Sequence, residues 1–171
     1  MFRIQDFIRD IHDFPKQGII YKDITPLLQN PAATAKTTEA LLALLKDQQI
    51  DKVVGIESRG FFFATLLAQK LGAGFVPIRK PGKLPFDKHA ESYSLEYGED
   101  TLEIHQDAIK QTERVLIHDD VLATGGTAAA ACKLVEKMGG EIVQCNFLMD
   151  LTFLNGKEKL EDYEVASLVS Y

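Results

Sequence analysis

The stretch from Val115 to Thr127 carries the residues best suited to chemistry. An apolar strand leads into two adjacent carboxylates, Asp119 and Asp120, then into a Thr-Gly-Gly-Thr turn and an alanine-rich helix. In open α/β sheets, ligands bind at the carboxyl ends of strands, where these acids would emerge. Glycines let the backbone approach a ligand closely, and the first turn of a helix offers unpaired N–H groups and a positive dipole end. The pattern predicts a sugar-phosphate site, with two acids that face hydroxyls or a divalent cation.

Two commoner glycine-rich motifs do not fit this turn. No Gly-Lys-Ser/Thr follows the glycines, so the turn is not a Walker loop, and Gly125 and Gly126 are adjacent rather than spaced, so it is not the dinucleotide fingerprint. The alternative is a structural turn flanked by solvated acids. Two neighbouring carboxylates would repel each other and a phosphate unless a sugar or a cation lay between them, which favours the functional interpretation.

Length and composition predict one domain over residues 1–171. The chain is long enough for one core, and its 46% apolar and 26% charged residues are typical of a soluble globular protein. The longest apolar stretch, Phe61–Ala68, is too short to cross a bilayer, and the first residues lack a signal-peptide core. We therefore expect no membrane partner. A net charge of −6 argues against nucleic acid as the main partner.

Cys132 and Cys145 show no ligand-like spacing and are predicted to be reduced, partly buried thiols of a cytoplasmic protein. His118 is predicted to be a packed histidine at the end of a strand.

Alternating strand and helix patterns predict a parallel twisted sheet flanked by helices on both faces. The predicted strands cover residues 52–56, 74–78, 114–118, 141–148 and 164–169, and the predicted helices residues 32–46, 60–71 and 128–138. Apolar spacing from Phe2 to Ile11 predicts an opening amphipathic helix, followed by an irregular loop with a short extended piece at residues 19–21. Ser92–Glu96 and Thr101–Ile104 alternate like a hairpin, which would form a small subdomain over the carboxyl edge of the sheet.

The Val115–Thr127 motif resembles the phosphoribosyl-pyrophosphate (PRPP) signature of the type I phosphoribosyltransferase family. Further segments, in the same order along the chain, resemble the adenine-specific members of that family. They are Phe14–Pro26, Gly55–Phe61, Ile78–Pro85, Tyr93–Gly98 and Leu151–Leu160.

This resemblance implies that the chain transfers the phosphoribosyl group of PRPP to adenine, giving AMP and pyrophosphate. It implies Mg²⁺ as the cofactor, bound mainly through PRPP and pyrophosphate, because the four histidines form no metal-ligand cluster. It also implies a cytoplasmic homodimer in which residues 1–30 and 84–105 contribute to a hood and a lid.

By the same resemblance, each end of PRPP has its own residues. The 5′-phosphate would be bound by Ala123, Thr124, Gly125, Gly126 and Thr127, and the ribose by Asp119 and Asp120, which would stabilise positive charge on the reacting sugar. A non-proline cis peptide is expected between Glu57 and Ser58, exposing N–H groups to phosphate. Pyrophosphate would be bound by Glu57, Ser58, Arg59, Arg79, Lys80 and Lys83.

Adenine offers an amino donor at C6 and an acceptor at N1, which the resemblance implies are matched by the Ile20 carbonyl and the Lys22 amide. Hypoxanthine and guanine carry the opposite pattern and would leave buried polar groups unpaired. Tyr21 and Leu154 would enclose the ring, and Glu96 would exchange a proton with purine N7 as N9 attacks.

Other interpretations of these residues stay open at this point. Arg59 could cap the sheet, the lysines could be a solvated run, Tyr21 and Leu154 could be plain core, and Glu96 an exposed hairpin acid. The same fold could act on hypoxanthine, guanine, xanthine or orotate, or serve as a PRPP-binding regulator without catalysis.

Overall fold

A computed structural model describes residues 2–94 and 98–171 of the chain. Contacts divide the chain into two compact units, one up to Ala40 and the other from Leu41 onward. The single-domain interpretation of residues 1–171, with its hood and lid, stays a prediction.

The first unit is a short antiparallel hairpin followed by helix. In chain order it contains a 3₁₀ helix (Ile4–Phe7), β1 (Arg9–His12), β2 (Ile20–Asp23), α1 (Thr25–Leu28) and the start of α2 (Pro31–Ala43). The predicted opening helix is wrong beyond Phe7, because residues 9–12 pair with β2 instead. A helix of about ten residues is marginal without a packed face. The strand gains a ladder and two cross-strand ion pairs, Arg9–Asp23 at 2.6 Å and Lys22–Asp10 at 2.7 Å.

The second unit contains the main sheet and a second hairpin. In chain order its elements are β3 (Lys52–Ile56), α3 (Gly60–Leu71), β4 (Gly74–Ile78), β5 (Lys88–Ser94), β6 (Glu99–His105), β7 (Arg114–Leu122), α4 (Gly126–Lys137), β8 (Glu141–Asp150), 3₁₀ helices Thr152–Leu154 and Gly156–Leu160, and β9 (Val165–Ser170). The five core strands are parallel, in the order β4-β3-β7-β8-β9. The predicted α/β class is confirmed.

Successive side chains of a strand point to opposite faces of the sheet, so neighbouring residues pack against different helices. Val54 and Ile117 pack in a cluster with α4 and with Leu102 of β6. Gly55 faces α3 instead, since a Cβ there would lie 2.9 Å from that of Ala64. Helices α3 and α4 therefore cover opposite faces, and the β5–β6 hairpin packs on the α4 face.

Strand β7 is four residues longer than predicted and includes Asp119 and Asp120. The reason is its neighbour β8, which pairs with it as far as Leu122 opposite Asp150. On its other side, pairing with β3 reaches only His118 opposite Gly55. Asp119 is therefore level with Ile56, the last residue of β3, and Asp120 extends beyond it. Within the part of the chain that the structure describes, no helix is long and apolar enough to span a bilayer.

His118 and Asn146 form a fully buried polar pair on adjacent strands. The His118 Nδ1 and Asn146 Oδ1 atoms are 2.6 Å apart, and the imidazole lies edge-on to the ring of Phe63. Burial lowers the pKa of His118 to about 4, against hydrogen bonding to Asn146 that raises it. The histidine is packed, as predicted, but lies inside β7 rather than at its end.

Replacing His118 with Gln should remove part of the pH dependence of stability. The folded protein keeps this side chain neutral down to about pH 4, whereas an unfolded histidine takes up a proton below about pH 6.5. The unfolded state therefore binds more protons in this range, and the free energy of unfolding falls as pH drops from about 6.5 towards 4. Urea unfolding at about pH 7.5 and about pH 5 should show a loss roughly 2 kcal/mol larger in the unaltered chain than in His118→Gln. Equal losses would contradict a neutral buried histidine.

Candidate active site

The order of the strands reverses direction between β3 and β7. From β3 the chain passes through α3 to β4 on one side, and from β7 it passes through α4 to β8 on the other. Connections that leave two adjacent strands in opposite directions open a crevice at their carboxyl ends, which is where open α/β sheets bind ligands. Both predicted phosphate-binding segments, residues 57–59 and 123–127, start at these two strands.

The predicted 5′-phosphate loop forms a small cavity of about 70 Å³ at the end of β7. Gly125 has φ +77°, a left-handed conformation that favours glycine, and α4 begins at the next residue. The first amides of a helix have no partner within the helix, so they are free to bind an anion. The cavity is lined by Asp119, Val121, Leu122, Ala123, Thr124, Gly125, Thr127 and Ala128.

A glycine from another segment supports this loop. A Cβ at Gly125 would lie 2.2 Å from the Gly156 carbonyl oxygen, and a Cβ at Gly156 would lie 2.2 Å from the carbonyl oxygen of Ala123. Real side chains do not tolerate such distances, so the two backbones approach this closely only because both residues are glycine. The segment that carries Leu154 thus packs directly on the loop.

The two acids of β7 lie in different surroundings. Asp119 lines the cavity, and its carboxyl accepts a hydrogen bond from the Asp120 amide at 2.9 Å. Burial raises the pKa of Asp119 well above its ordinary range, and the charge of Asp120 raises it further. Asp120 is itself buried, and its Oδ2 lies 2.8 Å from the Nε of Arg59. Burial raises the pKa of Asp120 too, but the Arg59 guanidinium opposes that rise.

Arg59 follows β3, and so its contact with Asp120 joins the two sides of the crevice. The peptide between Glu57 and Ser58 is cis, as expected from the family resemblance. Gly60, the first residue of α3, lies close to Asp119, since a Cβ at Gly60 would lie 2.9 Å from the Asp119 Oδ1 atom. The start of α3 therefore packs directly against the acids of β7.

Glu57 holds three groups of the loop that follows β4. Its carboxylate accepts hydrogen bonds from Arg79 Nε at 3.0 Å, from the Lys80 amide at 2.8 Å, and from the Lys83 ammonium. Burial would raise the pKa of Glu57, but these bonds outweigh burial and hold the pKa at about 2. Glu57 was predicted to bind pyrophosphate through the backbone of the cis peptide, which stays a prediction, and its side chain is the anion that positions the cations.

The β5–β6 hairpin contributes a second acid to these cations. Asp100 forms an ion pair with the Lys80 ammonium, and the Tyr93 hydroxyl lies 3.1 Å from that ammonium and 3.2 Å from the Asp100 carboxylate. The same hydroxyl accepts a hydrogen bond from Thr127 of the phosphate loop at 3.1 Å. Asp100 and Tyr93 thus connect the loop after β4 with the loop at residues 123–127.

The residues predicted to contact adenine fall in both units. In the first unit, the ring of Tyr21 packs edge-on against Phe14 with centroids 5.1 Å apart. Ile20 and Lys22 lie on β2 opposite His12 and Asp10, and the Ile20 side chain is exposed. In the second unit, Leu154 ends a 3₁₀ helix and is 38% exposed, too open for a core residue.

Glu96 lies outside the described residues, so its predicted role stays a prediction. Sequence reasoning missed three residues of the described site: Tyr93, Asp100 and Gly156. Their partners are distant along the chain, and only Gly156 carried a local signal, as the glycine of an Asn-Gly pair after Leu154.

Comparison with known proteins identifies the family of this chain. A family model described as the phosphoribosyl transferase domain matches residues 23–169. A protein named adenine phosphoribosyltransferase from Christiangramia forsetii is 64% identical over 168 residues, which cover 98% of each chain. The crystal structure of adenine phosphoribosyltransferase from Thermoanaerobacter pseudethanolicus matches with a TM-score of 0.96 at 49% identity, covering 98% of both chains.

A third match has a ligand. The adenine phosphoribosyltransferase of Saccharomyces cerevisiae, complexed with an imino-altritol bisphosphate and adenine, matches with a TM-score of 0.90 at 42% identity, covering 95% of this chain and 94% of that one. The chain therefore belongs to the phosphoribosyltransferase family and, within it, to the adenine phosphoribosyltransferases.

Replacing Gly156 with Ala should damage the phosphate loop, because the added methyl group would overlap the Ala123 carbonyl. We expect a loss of about 1–3 kcal/mol in the free energy of unfolding, as for overpacked sites, and roughly tenfold weaker binding of ribose 5-phosphate, measured by calorimetry. Gly74→Ala is the matched control, since its methyl group would meet only the flexible end of Lys52 at 3.1 Å. A Gly156→Ala protein with unchanged binding would show that this contact does not shape the loop.

Proposed function

We propose that this chain transfers the 5-phosphoribosyl group of PRPP to adenine, giving AMP and pyrophosphate. The observation that carries the proposal is the crevice between β3 and β7, which brings a small cavity at a glycine loop, the half-buried Asp119, the buried Asp120 and four cationic side chains to one edge of the sheet. The relatives named adenine phosphoribosyltransferase, one of them complexed with adenine and a bisphosphate, support this choice of substrates.

The 5′-phosphate would bind at residues 123–127. The loop is preorganised, because Gly125 is held against Gly156 and the Thr127 hydroxyl is held by Tyr93. Preorganised amide donors at a helix start stabilise a phosphate without an additional cation. This end of PRPP stays in place during the reaction and so serves as its anchor.

The ribose would lie against Asp119 and Asp120. As pyrophosphate leaves and the purine nitrogen approaches, positive charge develops on the sugar ring. Burial raises the pKa of Asp119, so its carboxyl ionises most readily when positive charge arrives beside it. The interaction is therefore stronger with the transition state than with the uncharged sugar of bound PRPP, which is the condition for catalysis.

Pyrophosphate would bind to the cations and amides of the two loops after β3 and β4. The cationic groups are Arg59, Arg79, Lys80 and Lys83, and the backbone at Ser58 adds an amide beside them. Guanidinium groups match phosphate oxygens in a bidentate manner, while the ammonium groups act as point charges. The acids that already hold these cations keep them aimed at the crevice.

The residues of this site fit Mg²⁺ that is bound mainly through the diphosphate. Among the described residues, no group of three or more acidic, His or Cys side chains lies together as a metal site. Asp119 nevertheless lines the cavity, and its carboxyl is an oxygen ligand of the type that Mg²⁺ prefers. When bound, Mg²⁺ would neutralise charge on the leaving pyrophosphate.

Adenine would be read by main-chain groups of β2, namely the Ile20 carbonyl and the Lys22 amide. On this first unit, the exposed Ile20 side chain and the ring of Tyr21 offer apolar surfaces to a purine ring. The Lys22 side chain is engaged with Asp10, so the proposed contact uses only its amide. A base with oxygen at C6 would place acceptor against acceptor, which excludes it strongly.

One assay tests this function directly. The chain is mixed with PRPP, Mg²⁺ and one base at a time, and nucleotide is separated by chromatography. We expect AMP from adenine and rates at least roughly a thousandfold lower from hypoxanthine, guanine, xanthine and orotate. Nucleotide formed equally well from another base would overturn the adenine assignment, and PRPP binding without any nucleotide would favour a regulator.

Two substitutions should separate catalysis from binding. Glu96→Gln should lower kcat by about a hundredfold or more while PRPP affinity changes little, because a general acid acts only in the chemical step. Asp119→Asn should lower kcat and also weaken PRPP binding, because Asp119 lines the cavity proposed for PRPP. Steady-state kinetics and calorimetry measure the two effects. Unchanged turnover in Glu96→Gln would exclude it as the proton-transfer group.

We also propose that the enzyme is a cytoplasmic homodimer. Phe14 and Ile19 in the first unit and Phe153 in the second are large apolar side chains with exposures of 50%, 45% and 70%, as expected of contact surfaces. Cys132 and Cys145 are buried free thiols with sulfurs 3.5 Å apart, which is compatible with a reducing compartment. Light scattering after size-exclusion chromatography should give twice the mass of the chain.

A further inference from the structure

We propose that Asp100 competes with pyrophosphate for the ammonium of Lys80 and thereby weakens the binding of this product. The inference rests on the proposed function, in which Lys80 binds pyrophosphate, and adds a residue that sets how tightly the product is held. Asp100 lies on β6, in the hairpin, and not in either phosphate-binding loop.

The Asp100 carboxylate is bound to the Lys80 ammonium, which is the group that a phosphate oxygen would contact. It forms an ion pair with the Lys80 Nζ, and the Tyr93 hydroxyl contacts both partners, at 3.1 Å and 3.2 Å. The two side chains are about one third exposed, at 34% and 28%. A diphosphate therefore has access to the ammonium but must replace a carboxylate that is already bound there.

The titration of both partners agrees with this geometry. Burial would lower the pKa of Lys80, but the bonds to Asp100 and Tyr93 outweigh burial and raise the pKa. Burial would likewise raise the pKa of Asp100, but the bond from Lys80 outweighs it and lowers the pKa. Both groups are thus charged near neutral pH, so the competition is between two anions for one cation.

Glu57 also contacts this loop, but it acts differently. Its carboxylate is only 9% exposed and accepts a hydrogen bond from the main-chain amide of Lys80, so it fixes the path of the loop. Of the groups of Lys80, Asp100 contacts only the ammonium, which is the group that a phosphate would bind. Removal of Asp100 therefore frees the ligand-binding atom without removing the support of the loop.

The exchange does not strand the Asp100 carboxylate. Its Oδ1 accepts a hydrogen bond from the Thr101 amide at 2.8 Å, and its Oδ2 lies 3.2 Å from the Tyr93 hydroxyl. Both contacts remain when Lys80 turns to a phosphate. A carboxylate that stays hydrogen-bonded loses little free energy when its cation leaves. The Lys80–Asp100 ion pair is therefore strong enough to compete with pyrophosphate and weak enough to open.

The test is the affinity of the enzyme for magnesium pyrophosphate, measured by isothermal titration calorimetry. Asp100→Asn should bind about three- to fivefold more tightly than the unaltered enzyme, as expected for loss of a partly exposed ion pair, and pyrophosphate should inhibit AMP synthesis at correspondingly lower concentration. Glu99→Gln, the adjacent acid on β6, makes the same change in net charge and should stay within about twofold. Asp100→Ser serves if the Asn protein is unstable.

The double variant Lys80→Met/Asp100→Asn decides whether the effect acts through Lys80. Compared with Lys80→Met alone, it should show no gain in affinity, and that result supports the proposal. No tightening in Asp100→Asn would overturn it. An equal gain in Glu99→Gln or in the Lys80→Met background would also overturn it, because the effect would then be general electrostatics. Failure of the unaltered enzyme to form AMP would instead refute the proposed function.

Discussion

The concentration of cations at one edge of the sheet is the condition on which the rest of this structure depends. A site for a diphosphate needs several positive side chains close together, and these repel one another before the ligand arrives. Here each one has an acid from a neighbouring element, so the empty site is nearly neutral and its cations are already oriented. The pairs are Arg59 with Asp120, Arg79 and Lys83 with Glu57, and Lys80 with Asp100. The parallel sheet makes this possible, because it brings the ends of β3, β4 and β7 to the same edge.

Much of this arrangement was predictable from local patterns. The apolar strands, the helices after them and the loop at residues 123–127 depend on residues adjacent in sequence, and they are found where the patterns indicate. The opening helix was wrong because Arg9 and Asp10 gain ion pairs from β2, more than ten residues later, which no local pattern records. The length of β7 was underestimated for a similar reason, since its last residues depend on pairing with β8.

The partners of the site residues were the least predictable part. The sequence shows cations after β4 and an acid after β3, but the bond from Arg79 to Glu57 spans 22 residues. The contact of Gly156 with Gly125 depends on the approach of two backbones, which neither residue type nor spacing reveals. Sequence patterns therefore supplied the chemical groups of the site, while the tertiary fold determined which of them neutralise one another and which remain available to a ligand.

The unequal lengths of β3 and β7 have a consequence for the size of molecule that fits. Asp119 is level with the last residue of β3, and β7 continues for three more residues to Leu122, roughly 10 Å at about 3.3 Å per residue. The two loops that we propose bind anions therefore begin at different levels along the strand direction. Such an offset would favour molecules whose negative groups are spaced to match it, and an orthophosphate, with a single such group, would engage only one level at a time.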